Sequence, residues 1–402
     1  MKSNVLNNIL ISLCLVLLIF QPSVPYISSA GAVITVLISL VKIIFSTKSS
    51  VRVRHYIVSF FVPIIIFYFL ILFYSAARVL LDGLYDISFF RVSLNQTIFL
   101  IAVVLFVISF DDYSDKFEKY IYILFVANLF YAVLAVDFFP SLLDLAVKVK
   151  GESSDLVDKN YLNLYRIAFF GSDSHYGISA LYSLALVCFS FYMKKANINS
   201  IVGGFFLFFL AVAGVIAGRT AFIFILVSFF ILLRNSIKIT FLFLFFSSLS
   251  IYLVTMYLDL PEHFVNWMFE LFINLSDGKG VQTESSNHLL KMYSINIDVN
   301  PVFGNAKFLL DNGSYYGGSD VGYIRHFLFG GFLICILIYL LPVIILLKNK
   351  FDLKIMIAFL SMYILELKGS AIYETPMMVL FIIISFLSYK EKQSFYKSRS
   401  VY

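Results

Sequence analysis

The chain has 402 residues, of which 61% are hydrophobic and only 13% charged, against roughly 25% charged in an ordinary soluble domain. A soluble chain of this length cannot cover so much apolar surface, so lipid must cover it. The formal net charge of +6 does not mark a nucleic-acid binder, because the basic residues sit in short breaks between apolar runs rather than along one amphipathic face.

Runs of about twenty apolar residues, the length a helix needs to span ~30 Å of hydrocarbon, recur along the chain. They predict an all-α polytopic integral membrane protein with about 12 transmembrane helices. The spans fall at approximately 6–23, 27–46, 56–76, 92–110, 119–137, 174–193, 199–217, 219–233, 239–257, 321–347, 352–368 and 372–389. The stretch Met1 to Ser29 resembles a signal peptide, with Lys2, an apolar core and small residues near Ala30. A second apolar run follows at once, so it reads as an uncleaved first span. Cys14, Cys188 and Cys335 each lie inside an apolar run. That placement implies packing residues, with no disulfide framework and no metal site.

Alternate breaks contain or adjoin Lys42, Lys48, Arg52 and Arg54; Lys116 and Lys119; Lys194 and Lys195; Arg234 and Lys238; and Lys348, Lys350 and Lys354. The tail adds Lys390, Lys392, Lys397 and Arg399. The positive-inside rule makes this side cytoplasmic and places both termini there. The opposite side holds two long loops, 138–173 and 258–320. The second is too long for a mere connector. Within it, Leu260 to Leu275 fits an amphipathic helix lying at the interface, and Ser276 to Ser286 reads as turn and loop.

Three clusters at the outer face carry residues suited to chemistry: Tyr165 to Gly177, Gly214 to Phe222, and Asn300 to Gly331. Arg219 opens the eighth span, where free N–H groups and the helix dipole already favour an anion. A guanidinium added there makes a bidentate phosphate or pyrophosphate site; the plainer account is an arginine snorkelling to the interface. Asp320 and Tyr323 are three apart, on one helix face. Asp320 suits either an N-terminal cap or a base for a hydroxyl nucleophile. Arg325 and His326 lie one to two turns inside an apolar helix, where charge is costly. Arg166, Asp173 and His175 precede the sixth span; solvated loop charges are the plainer account, and His175 is a candidate base. Glu366, Lys368 and Glu374 flank the last outer turn and read as an intrahelical or hairpin ion pair. Gly214 and Gly218 have small-residue packing spacing.

In order, these parts resemble the Wzy-type O-antigen polymerases and, more distantly, the O-antigen ligases of the same membrane glycosyltransferase superfamily. The resemblance rests on Arg166 followed by Phe169, Phe170, His175 and Gly177, on the Gly218-Arg219-Thr220 turn, and on Ser319 to Tyr323 followed by Gly330-Gly331. It implies a GT-C-like fold in the bacterial inner membrane. The implied activity is polymerisation of undecaprenyl-pyrophosphate-linked oligosaccharides at the periplasmic face, without a cofactor or metal. Arg219 matches the turn arginine thought to hold pyrophosphate and Arg166 the loop arginine, with Arg325 and Tyr323 as further substrate contacts. The ligases carry a catalytic His in the long loop; this chain offers Asp320 there, with His326 inside the helix and His175 as another candidate. The implied partners are membrane lipid, a chain-length regulator and a flippase, and no nucleic acid. The rival readings are an O-antigen ligase-like transferase, a lipid-linked oligosaccharide flippase and a scaffold for envelope assembly. A transporter commonly shows two related halves, and none is visible here.

Overall fold

A computed structural model describes residues 2–23, 28–45, 55–81, 86–150, 161–171, 175–257, 270, 273–278, 284–294, 297–311 and 313–399. Of the described residues 81% are helical. Among the described residues there is no strand, only an isolated bridge between Leu309 and Tyr315.

In chain order the helices are α1 (Lys2–Ile19), α2 (Ala30–Ile44), α3 (His55–Leu81), α4 (Ser88–Phe110), α5 (Phe117–Asp137), α6 (Pro140–Lys150), α7 (Tyr161–Ala168) and α8 (His175–Lys195). They continue with α9 (Ser200–Ala217), α10 (Ala221–Asn235), α11 (Ile237–Tyr257), α12 (Glu284–Met292), α13 (Gly322–Lys348), α14 (Leu353–Glu366) and α15 (Met377–Arg399). Among the described residues five helical stretches are long and apolar enough to cross a membrane: His55–Leu81, Ser88–Asp137, Tyr176–Lys195, Ser200–Ala217 and Gly322–Lys348. Helices cover every expected apolar run, though several are shorter than a bilayer requires; α10 has 15 residues and α14 has 14. Large apolar side chains face outward on the bundle, Phe73, Phe230 and Phe241 being about two-thirds exposed, as a lipid-covered surface demands.

Two helices form the centre. α8 threads Ser179, Ala180, Ser183, Ala185 and Ser190 through its length, all buried, and small side chains let neighbouring backbones approach. Gly214 and Gly218 of the α9 end lie against it: a Cβ at Gly214 would meet Tyr182 of α8 at 3.6 Å and Ala221 of α10 at 3.0 Å, and one at Gly218 would meet Ser179 at 3.0 Å. α15 runs Met377 to Phe386 through the core with almost no exposed surface.

Connections gather at two ends. At one end, basic residues of separate breaks meet polar partners: Lys42 donates to Asn7 at 2.7 Å, Lys390 to Asp111 at 2.7 Å, Lys392 to the Asn349 carbonyl at 2.7 Å, and Lys354 to Glu118. The topological lysines are therefore also structural ties. At the other end, the loop 138–173 contains α6 and α7, and the loop 258–320 contains α12. The expected interfacial helix at 260–275 lies mostly outside the described residues. Of the expected turn at 276–286, residues 277–278 form a turn, 279–283 lie outside the described residues, and Glu284 opens α12.

α13 is broken. Gly331 sits at φ 60°, ψ −155°, a conformation essentially confined to glycine. A Cβ there would fall within 2.5 Å of the Val302 backbone. The break frees carbonyls that the returning loop satisfies: Asn305 N–H donates to Leu328 O at 2.8 Å and Ala306 N–H to Phe329 O at 2.9 Å, while Phe332 N–H donates to Pro301 O at 2.9 Å. Irregular backbone among hydrophobic helices is tolerated where protein groups re-satisfy it in this way. Asp86, just before α4, accepts from Phe308 N–H at 2.5 Å and Leu309 N–H at 2.8 Å. Burial opposes the Asp86 charge, but the N–H groups of Leu309, Phe308 and Ser88 hold its pKa below the usual carboxylate range.

Candidate functional site

Three cations from separate elements converge at the loop end. Arg166, in the last turn of α7, donates from Nε to Ile216 O at 3.2 Å, which binds it to the end of α9. Arg219 occupies the turn between α9 and α10 and pairs with Glu270 of the long loop. Lys368, in the turn after α14, donates to Thr220 Oγ1 at 2.8 Å, directly beside Arg219. Burial lowers the Lys368 ammonium to about 8, and the charges of Arg219 and Arg166 add to the effect. Burial likewise lowers Arg166 to about 10, with Arg219 contributing. Gathering like charges in this way is costly.

Lys368 is a correction to the ion-pair expectation for Glu366, Lys368 and Glu374. Neither glutamate pairs with it. Both instead surround His326 behind the cation cluster. Glu366 and His326 are fully buried, with Nδ1 3.5 Å from Glu366 Oε1. Tyr339 OH lies 2.7 Å from the same ring nitrogen and donates to Glu366 Oε1 at 3.0 Å. The other glutamate oxygen accepts from the N–H groups of Ala371 and Ile372, both at 2.7 Å. On the far side of the ring, His326 Nε2 is 3.4 Å from Glu374 Oε1 and 3.3 Å from Ser370 Oγ. Gly322 is needed here, because a Cβ would collide with the Glu366 carboxylate.

Arg325 is also buried and committed. Its Nη2 donates to Glu374 Oε2 at 2.6 Å. The guanidinium lies between two rings, 3.4 Å from the Tyr315 centroid and 4.5 Å from that of Phe308, in the stacked geometry that arginine favours. It thus ties the long loop to α13. The Tyr323 ring packs tilted against Tyr339 with centroids 4.7 Å apart, and its hydroxyl donates to Tyr363 O at 3.3 Å.

Asp320 does not share a helix face with Tyr323, because α13 begins at Gly322. It is not the cap either; Val321 occupies that position and no side chain caps the helix. Asp320 is exposed at the loop end. Burial raises the Tyr315 phenol; Arg325 opposes this, and Glu374 and Asp320 add to it, so Asp320 stands at the lip of the buried network. His175 opens α8, and its side chain and Asp173 lie outside the described residues.

The structure therefore unites Arg166, Arg219 and Lys368 in one cluster, and joins Arg325, His326 and Tyr323 in another. Tyr176 on α8 fastens the end of α14 and the turn after it: its hydroxyl donates to Leu365 O, and Gly369 leaves room for its ring, which a Cβ would meet at 2.6 Å. Among the described residues no group of three or more His, Cys, Asp or Glu side chains is arranged to hold a metal ion. Comparison with protein-family models, with curated proteins and with solved structures finds no match to this chain.

Proposed function

We propose that this chain is a membrane glycosyltransferase of the O-antigen-polymerase type, joining oligosaccharide repeat units carried on a polyprenyl diphosphate. The observation that carries the reading is the convergence of Arg166, Arg219 and Lys368 at the loop end of an all-helical bundle. Glycosyl transfer from a diphosphate lipid needs the leaving group's charge neutralised in a low-dielectric site, and preorganised cations supply that. The acceptor hydroxyl attacks the anomeric carbon, the bond from that carbon to the diphosphate oxygen breaks, and the hydroxyl proton passes to a base.

Asp320 is the base in this reading, because it is exposed at the loop end whereas His326 is enclosed. Glu270 occupies Arg219 in the free site, so the arriving diphosphate displaces a loop carboxylate and frees the loop to close over the glycans. Under this reading the helices over the twelve apolar runs all cross the bacterial inner membrane. The termini and the lysine-rich end face the cytoplasm, the loop end faces the periplasm, and a chain-length regulator and flippase act alongside.

The test is gel analysis of surface polysaccharide in a strain deleted for the gene and complemented with Arg219→Ala. A single-repeat product with the variant still inserted is expected. Full-length ladders would refute the proposal.

A further inference from the structure

The lysine-rich end carries two hollows that share a rim. The larger, about 780 Å³, lies between α10 and α14. Val227, Phe230 and Ile231 form one wall and Ile357, Leu360 and Ile364 the other. Phe230, Leu360 and Ile364 are exposed, so the cleft opens on the surface that lipid covers. Along the helices, Arg234 to Val227 rises roughly 10 Å and Lys354 to Ile364 roughly 15 Å, at ~1.5 Å per residue. One leaflet is about half of the ~30 Å hydrocarbon core. The cleft is therefore one leaflet deep, and its lining ends short of the loop-end cations. The smaller hollow, about 200 Å³, is lined in part by Asn197, Ser200 and Ser236 in the connections α8–α9 and α10–α11. Lys194 and Asn235 line both hollows.

Charge at the cleft mouth is balanced except along this rim. Lys195 pairs with Glu391 at 2.6 Å and lies 3.8 Å from Glu118, Lys354 pairs with Glu118, and Lys392 is 3.2 Å from Asp352. Asp352 also caps α14 by accepting from Lys354 N–H at 3.0 Å. All three acids are thus committed. Lys194 and Arg234 edge the same mouth and are exposed. Among the described residues neither has a carboxylate partner.

We infer that this place seats an anionic glycerophospholipid of the phosphatidylglycerol kind, drawn from the leaflet at the lysine-rich end. One acyl chain lies in the cleft, the phosphodiester lies at Lys194 and Arg234, and the head-group hydroxyls enter the polar hollow. The inference goes beyond the proposed function and holds whether or not that reading does. The order of parts selects the occupant: apolar walls, two cations and a polar hollow follow one another as acyl chain, phosphate and glycerol do in the lipid. Lysine and arginine both bond phosphate oxygens. A zwitterionic lipid brings its own ammonium, which two uncompensated cations repel, whereas basic residues at a membrane surface attract anionic lipid. An acyl chain gains no hydrophobic free energy by leaving bulk lipid for the cleft, so selection falls to the head group.

The test uses the full chain in phosphatidylcholine nanodiscs doped with phosphatidylglycerol that carries a diazirine midway along one acyl chain. Photo-adducts mapped by mass spectrometry are expected between Val227 and Arg234 and between Ile357 and Ile364. Unlabelled phosphatidylglycerol should compete, and inorganic phosphate or extra phosphatidylcholine should not. Phosphatidylserine, with equal net charge but an ammonium in its head group, should compete several-fold less well. Lys194→Gln and Arg234→Gln together should cut the adduct yield about 30-fold. Lys238→Gln removes an exposed cation that lines neither hollow and should leave the yield unchanged. Adducts mapped elsewhere, indifference to the paired glutamines, or an equal loss from Lys238→Gln would overturn the inference. So would competition by inorganic phosphate, or competition by phosphatidylserine or phosphatidylcholine equal to that of phosphatidylglycerol. None of these readouts requires sugar transfer, so a failure here leaves the proposed function standing, and normal ladders from the Arg219 variant leave the lipid seat standing.

Discussion

Replacing Lys368 with arginine or with methionine distinguishes a charge that serves a ligand from one that serves the fold. Burial and the neighbouring Arg219 and Arg166 bring the ammonium down to about 8 from 10.5. Between those two values the unfolded chain binds a proton that the folded chain has released. Stability therefore rises with pH across that window, and the group's full destabilisation is present below about 8. A bound diphosphate reverses the preference, since the anion favours the ammonium. Binding then takes up a proton above pH 8, and affinity should fall by up to about tenfold per pH unit from there. Lys368→Arg stays charged throughout and should bind with little change between pH 7 and 9. Lys368→Met should be equally flat but weaker by about 10- to 150-fold, the worth of one charge-assisted hydrogen bond at roughly 1.5–3 kcal/mol. Calorimetric titration with a dialkyl diphosphate, a diester with no titrating proton in this range, reads both effects. Wild-type affinity that is constant from pH 7 to 9, or a methionine variant that binds like wild type, would refute the reasoning.

Gly331→Ala should destabilise the protein by about 3–5 kcal/mol, combining backbone strain with a Cβ driven into the Val302 backbone; thermal unfolding in detergent measures this, and an unchanged midpoint would count against the break as described. Glu366→Ala strands two backbone N–H groups and the Tyr339 hydroxyl, at about 1–3 kcal/mol each, so folded yield should drop sharply while Glu366→Gln retains most of it. Asp320→Asn should leave donor binding intact and slow single-turnover glycan transfer by at least ~10²-fold, the range of general-base catalysis; a normal rate would exclude Asp320 as the base.

The helical plan was legible because its signal is one-dimensional: apolar run length and the alternation of lysine-bearing breaks. Boundaries at α9 and α14 were sharpened by side chains such as Asn199, which caps Ile201 N–H at 2.9 Å, and Asp352, which caps Lys354 N–H at 3.0 Å. Other features depend on contacts that no local pattern encodes. The interruption of α13 looks like a Gly-Gly pair in an apolar run, yet its conformation follows from Val302 to Ala306 filling the gap more than twenty residues away in sequence. The lysines of the basic end were read as topological markers only. Their acidic partners, Asp111, Glu118 and Asp352, come from other breaks and show themselves only when the helices pack.

The same distinction explains the site. Arg219 was legible as a lone cation against the expected orientation and Arg166 only through the family resemblance, whereas Lys368 was hidden by having glutamates two residues before and six after it. Sequence proximity suggested mutual pairing, but a carboxylate bonds whatever geometry brings to it. Glu366 is turned inward by the N–H groups of Ala371 and Ile372 and by Tyr339, and Glu374 is drawn to Arg325. The buried His326 network therefore does not need to touch a substrate to matter. By consuming both acids of the turn, it leaves Lys368 directed at Thr220 and its charge uncancelled by the neighbours that would otherwise answer it. A preorganised cation of this kind is stronger towards an incoming anion than one already in a salt bridge, because among the described residues it is held by the Thr220 hydroxyl and not by a carboxylate. Arg219, held by Glu270, is the opposite case. Under the proposed function a diphosphate would therefore meet Lys368 directly but would have to displace Glu270 from Arg219.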